Sequence, residues 1–449
     1  MPDVRRSRDS IPPEFSFDLP AERIHWVVRP ITRFLGCKPA SGVLLLASTI
    51  VALLATNSQF GADLNAFWEA PVRLSWGSHE VANSLRHWIN EGLMVLFFFV
   101  VGLELKRELV VGHLNSFRAA VLPIAAALGG MLVPAGVYLL FQWGKAGQRG
   151  WGIPMATDIA FMVACLTALG KRVPKTLRVL LLSLAVTDDL GAVLVIALGY
   201  SQGINLIFLL LGFVGIGTMM VTAWLGARSV PIYGIQGILI WFAFHESGIH
   251  ATIAGVIIGL LTPVHPWISE RLLAQLIRRL EFFLNHGFPR DPEYKRAMVK
   301  KLERAARESL SPLERLEVAL QPWVAFLIIP LFAFANAGVP LTTEAFSDPI
   351  TIAIIFGLVL GKPIGVVLGS AICVRLRLAS LPDGVTWTTL IYASLLTGIG
   401  FTMSLFIADL ALRGPALDSA KVGILTASTV CAIAGVGLLA VHKPNSQPL

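Results

Sequence analysis

Asp188 and Asp189 stand side by side in SLAVTDDLGAVLVIAL, Ser183–Leu198. They fall near the middle of Leu177–Leu198, an apolar run long enough to cross a bilayer as one helix. A charged Asp at the centre of a bilayer costs roughly 2.5–3.5 kcal/mol on insertion scales, and two together also repel. Intramembrane carboxylates mark ion or proton paths more often than they serve as neutralised structural pairs. The chemistry such a pair offers is exchange: oxygen ligands suit a hard cation, and their protons leave when the cation arrives. Two carboxylates hold too little charge for a divalent ion and suit a small monovalent one. Neighbours on a helix point about 100° apart, so the two acids cannot share one orientation. The expectation is one facing a wet cavity and the other facing a partner.

The natural partner is Lys362, in IFGLVLGKPIGVVLG, near the middle of another apolar run. A buried lysine needs an anion or loses its proton. Snorkelling to the surface is the alternative, with about a dozen apolar residues on either side to overcome. Thr157-Asp158 lies in GIPMATDIAF, where Pro154 weakens the helix, and LLTGIGFTMSLF carries Gly398 and Gly400 beside Thr402 and Ser404. Both read as broken helices, although glycines at that spacing also serve close packing. Half-helix ends carry partial charges of about half a unit, so paired N-termini would take an anion and paired C-termini a cation. Asp158 and Lys362 have the matching signs.

The elements that must position these groups are read from hydropathy. The 449-residue chain is 55% hydrophobic and 14% charged, with a mean hydropathy of +0.71. That excludes an ordinary soluble domain and fits an all-α polytopic membrane protein. Twelve spans are expected, near Ser41–Thr56, Trp88–Leu105, Ala119–Trp143, Trp151–Leu169, Leu177–Leu198, Ile204–Leu225, Tyr233–Phe244, Ile249–Leu261, Trp323–Val339, Ile350–Val374, Leu390–Leu412 and Val422–Val441. Lys and Arg gather in alternate loops, which places both termini in the cytoplasm and makes the +8 charge a topology signal with no bearing on nucleic acid. Cys37, Cys165, Cys373 and Cys431 are scattered and form no CxxC, so neither a disulfide framework nor a zinc site is expected. The first 38 residues show no cleavable signal peptide. No cofactor is called for.

Five regions follow. Residues 1–40 form a tail with a short interfacial helix at Ala21–Leu35, residues 41–264 hold spans one to eight, and 265–315 form an insertion. Residues 316–441 hold spans nine to twelve, and 442–449 are a tail. Within 62–84, PVRLSWGSHEVA alternates around Gly77-Ser78 and suggests a hairpin, with an irregular loop as the alternative. The insertion reads as two basic amphipathic helices broken at Asn285–Pro289, with Asp291-Pro292 as cap and first-turn proline of the second, ending at Ser309. Such a pair on the cytoplasmic side is expected to lie on anionic lipid; a regulatory partner is the alternative.

VGLELKREL (101–109), ATDIAF (156–161), TDDLGAV (187–193), SGIHATIAGVIIG (247–259), PLFAFANAGV (330–339), GKPIG (361–365) and GIGFTMSLFIA (398–408) together resemble the NhaA family of bacterial sodium/proton antiporters. The resemblance implies twelve helices with inverted repeats and two unwound helices crossing near the site; these features come with the family likeness and not from spacing. It implies Asp189 as principal cation and proton ligand with Asp188 beside it, Lys362 paired with Asp188, and Asp158 with Thr157 at the crossing. It also implies a pH response at Glu104, Glu108 and Glu317, whose spacing alone would suggest solvated surface charge. His250 matches a family histidine, and a satisfied core histidine fits as well. The 62–84 hairpin resembles a dimer contact. Departures are Thr187 where an aliphatic residue is expected, with a hydroxyl that could alter the ion shell, Val318 and Gln321 where histidines occur in some members, and the extra acid Asp409. The expected activity is electrogenic exchange of sodium or lithium for protons in the bacterial inner membrane. An intramembrane aspartyl hydrolase or an uncoupled cation channel are the readings from other classes.

Overall fold

Apolar runs bounded by capping residues become helices that cross one another and leave their outer faces apolar. The structure is a computed structural model and describes residues 40–76, 79–200, 203, 205–226, 230–266, 268–286 and 292–442. The expected interfacial helix at 21–35, the Asp291 cap and the last seven residues lie outside them.

The chain runs α1 (Ala40–Thr56), α2 (Gly61–Glu69), β1 (Pro71–Trp76), β2 (His79–Ser84) and α3 (Leu85–Val110). Then come α4 (Phe117–Gln142), a 3-10 segment at Ala146–Met155, α5 (Ile159–Leu169), α6 (Lys175–Gly199), α7 (Leu206–Trp224), α8 (Val230–Glu246) and α9 (Thr252–Leu261). Helices α10 (Glu270–His286) and α11 (Pro292–Glu308) form the insertion. The longer helices that remain are α12 (Pro312–Asn336), α13 (Pro349–Arg375), α14 (Trp387–Thr397), α15 (Phe401–Ala411) and α16 (Pro415–Val441), with a five-residue helix at Thr343–Ser347 before α13.

Each of the twelve expected spans overlaps at least one helix, and two of them, Trp151–Leu169 and Leu390–Leu412, are interrupted. Among the described residues eight helices are long and apolar enough to cross a membrane, or ten if the bent pairs α1–α2 and α14–α15 each count as one. The other two expected spans are the shorter α8 and α9. The peripheral helix α7 shows why a membrane is required: Leu210, Phe213 and Val214 are exposed apolar side chains. The strands β1 and β2 pair antiparallel in a register from Pro71↔Ser84 to Trp76↔His79, so the alternating segment is a hairpin. Helix α12 begins eleven residues before the expected start of span nine. Ser311 and Glu314 form a capping box there, with Pro312 at the first helical position, and this fixes a helix start that hydropathy does not mark.

Close helix approach sets the positions of the polar groups. Gly129 of α4 and Gly365 of α13 face each other so tightly that a Cβ on Gly365 would sit 2.1 Å from the Gly129 carbonyl oxygen. Only glycine permits that contact, and it draws the start of the Lys362–Arg375 segment against α4. Lys362 itself follows a π-helical turn at Gly357–Gly361, a local widening common at functional sites.

Candidate ion-exchange site

The polar centre begins with two interruptions. After Met155 the chain is extended through Asp158 before α5 starts at Ile159. Between α14 and α15 the helix breaks at Gly398–Gly400 and bends by 48°. The interruptions touch, since the Asp158 backbone N–H donates to the Ile399 carbonyl at 2.7 Å. Helix ends carry unpaired backbone groups that must find partners when buried, and here each finds one. Asp158 Oδ1 accepts from Phe161 N at 3.0 Å as the N-cap of α5. Its Oδ2 accepts from Thr402 N at 3.1 Å and from Thr402 Oγ1 at 2.5 Å. One carboxylate therefore caps two half-helices and opposes both N-terminal partial charges. The C-terminal ends are met from the other side. Lys362 Nζ donates to the Met155 carbonyl, and Thr157 Oγ1 lies 2.9 Å from the Thr397 carbonyl oxygen, its single proton shared between that oxygen and Asp188 Oδ2. The anion and the cation thus sit at the ends that their signs suit. The glycines serve packing as well, because a Cβ on Gly398 would lie 2.5 Å from the Leu358 carbonyl oxygen.

The carboxylate pair lies beside this crossing on α6. Asp188 Oδ2 is 2.6 Å from Lys362 Nζ and accepts from Thr157 Oγ1 at 2.7 Å. Asp189 points elsewhere, and among the described residues both of its oxygens lack a hydrogen-bond partner, as does Asp188 Oδ1. Asp189 is 2% exposed and Lys362 0%. Three buried carboxylate oxygens without donors among the described residues are costly unless a proton, water or cation satisfies them. They are hard oxygen atoms of the kind a small cation takes, and the charge of Asp188 is already opposed by Lys362. This arrangement also disfavours aspartyl hydrolysis, in which two carboxylates share one water and neither is tied to a lysine.

The sequence is closely matched among known proteins. The family model described as Na+/H+ antiporter 1 matches residues 32–439. A Na(+)/H(+) antiporter NhaA of Rhodopirellula baltica is 47% identical over 97% of this chain and 99% of its own length. One from Rhizobium meliloti is 48% identical, covering 96% and 98%, and an NhaA 2 of Vibrio vulnificus is 44% identical over 93% of each. The chain belongs to the NhaA sodium/proton antiporter family. It is therefore a multi-pass membrane protein of a transporter family and not an enzyme.

The remaining expected positions sit around this centre as follows. Glu317 is buried and paired with Arg107 Nη1, which joins α3 to α12. Glu104 and Glu108 on α3 are half-buried. His250 is a satisfied histidine, with Nε2 3.2 Å from the Tyr200 carbonyl oxygen and Nδ1 3.8 Å from Glu91 Oε1. Thr187, whose hydroxyl could have entered the ion shell, instead donates to Ser183 O at 2.8 Å on its own helix. The i−4 carbonyl is the nearest acceptor on a helix and takes that hydrogen.

Sequence reasoning missed a buried amide network. Asn90 Nδ2 donates to Asn336 Oδ1 at 3.1 Å and to Asp409 Oδ2 at 2.9 Å, and Asn336 Nδ2 returns a bond to Asn90 Oδ1 at 2.7 Å. It links α3, α12 and α15, and it gives Asp409 a partner on α3. Asn90 and Asn336, two asparagines within apolar runs, were the available signal. Thr402 was visible beside the glycine break, but its bond to Asp158 was not.

Proposed function

We propose that this protein exchanges sodium or lithium for protons across a bacterial inner membrane, driven by the proton gradient. The observation that carries the reading is Asp189, a deeply buried carboxylate with no donor on either oxygen among the described residues, next to Asp188, which pairs with Lys362. Asp189 is the principal ligand, holding either a proton or the cation. Asp188 supplies its free Oδ1 to the same ion while Lys362 and Thr157 fix its other oxygen. Thr157 and Asp158 hold the crossing together, so movement of the broken helices is coupled to the site. When one cation displaces two protons the cycle moves net charge, and rigid-body alternation exposes the site to each side in turn. Deep burial of the acids supports an exchange over an open channel, because a conducting pore would keep them wetted.

The Arg107–Glu317 ion pair, with Glu104 and Glu108 on the same face of the bundle, supports a pH-responsive region. Both termini lie in the cytoplasm by the distribution of basic loops. The basic helices α10 and α11 rest on anionic lipid, and the β1–β2 hairpin joins two copies as a homodimer. The deciding experiment is dequenching of a pH-sensitive dye in everted vesicles on adding sodium. Wild-type protein collapses an imposed proton gradient and Asp189→Asn does not. A fully active Asp189→Asn protein would refute the assignment.

A further inference from the structure

The ends of α3, α12 and α15 that lie toward the β1–β2 hairpin are joined in two unequal ways. Asn90 of α3 and Asn336 of α12 exchange two amide hydrogen bonds, at 3.1 and 2.7 Å, and Asn336 Nδ2 also donates to the Phe332 carbonyl of its own helix at 2.9 Å. The Arg107–Glu317 pair joins the same two helices near their opposite ends. Helices α3 and α12 are thus tied at both ends and form one unit. Helix α15 belongs to the crossing instead, through the bonds from Thr402 to Asp158. At its hairpin end Asp409 reaches over to the other unit, where its Oδ2 accepts one bond from Asn90 Nδ2 at 2.9 Å. A pre-formed amide pair therefore holds the carboxylate of a helix that is anchored elsewhere.

The contact lies between the crossing and the hairpin side. Asp409 follows Thr402 by seven residues, about 10 Å along α15 at 1.5 Å per residue. Between them Phe406 packs on Phe98 of α3 at 5.4 Å and on Phe332 of α12 at 6.2 Å between ring centroids, and all three rings are buried. An aromatic layer and then a polar one, both made by α15 against the α3–α12 unit, separate the crossing from that side. An apolar contact would serve packing alone at less cost, since polar groups lose hydration when buried. A hydrogen bond to a carboxylate holds one discrete geometry and is replaced by water once the helices part. The Asp409 side chain is 20% exposed, so water already touches it. We propose that the Asp409–Asn90 bond is the latch of a gate on the hairpin side, holding the exchange site closed there and breaking once in each cycle. The inference rests on the alternating exposure of that site described above.

The test has two arms. In the first, Met403→Cys is placed in the full chain with its native cysteines replaced by alanine; Met403 is 4% exposed and lies six residues from Asp409 on the crossing side. Right-side-out vesicles present the hairpin side to an impermeant maleimide, and no sodium is needed. Adding Asp409→Leu should raise the labelling rate on the order of tenfold, the shift expected when one bond to a charged group is lost. Asp409→Asn keeps an acceptor and should raise it less. If Asp409→Leu does not fold, Asp409→Asn carries the comparison and should still raise labelling about twofold or more. In the second arm Asn90→Cys and Asp409→Cys are joined by a short bifunctional thiosulfonate. Cross-linking should stop sodium-driven dequenching, and a reductant should restore it. Unchanged labelling in Asp409→Leu, or in Asp409→Asn where the first fails to fold, overturns the latch, as does full exchange by the cross-linked protein. If wild-type protein moves no protons on adding sodium, the exchange reading fails instead, and labelling still decides the latch.

Discussion

Removing Lys362 should cost more than removing Lys362 and the charge of Asp188 together. The two side chains are both 0% exposed and their charged atoms are 2.6 Å apart. At an effective dielectric of 20 their attraction is about 6 kcal/mol, most of it offset by the desolvation of two ions. Lys362→Met leaves Asp188 with Thr157 as its one donor among the described residues and withdraws the donor from the Met155 carbonyl. Breaking a buried pair from one side costs about 3–5 kcal/mol. Replacing both partners, as Asp188→Asn with Lys362→Met, leaves two neutral groups and should cost about 1–2 kcal/mol. The double variant should therefore be about 2–3 kcal/mol more stable than Lys362→Met alone, and the four-protein cycle with Asp188→Asn should be clearly non-additive. The assay is thermal unfolding at one scan rate in one detergent, where Lys362→Met should lower the midpoint on the order of 5–10 °C and the double variant should recover most of that loss. Strictly additive losses would refute the argument, because they would mean the two charges do not depend on each other.

Asp158→Ala strips the cap from α5 and the acceptor from Thr402, so about 3 kcal/mol or more of stability should be lost, with Asp158→Asn losing less; midpoints of thermal unfolding distinguish them. Gly365→Val should push α13 off α4 at the Gly129 carbonyl and abolish sodium-driven dequenching, even in preparations that still insert in the membrane; retained exchange would show that the close contact does not position Lys362. Thr187→Val should change the half-saturating sodium concentration by less than about twofold, since its hydroxyl is bonded to Ser183 O and replacing a satisfied intrahelical bond on a helix costs little. A larger shift would place the hydroxyl in the ion shell after all.

The sequence alone determined that this chain lives in a membrane, where its helices lie, and which few charged groups are stranded among apolar neighbours. These are properties of windows of adjacent residues, and the cost of burying a charge in hydrocarbon makes Asp158, Asp188, Asp189 and Lys362 conspicuous wherever the helices go. The hairpin at β1 and β2 was legible for the same reason, since alternation is local. The start of α12 was not, because a capping box at Ser311 and Glu314 is polar and hydropathy passes over it.

Only tertiary structure decided which groups meet. Residues 157 and 397 are 240 positions apart in the chain, yet their bond helps close the crossing. The 100° between Asp188 and Asp189 says that they diverge, but not which one finds Lys362; the packing of α13 against α4 through Gly129 and Gly365 makes that choice. Thr187 and Asp409 carry the same lesson. A hydroxyl or carboxylate is a fixed chemical capacity in the sequence, and its use depends on the nearest partner in space: the helix's own Ser183 carbonyl for one, Asn90 from another helix for the other.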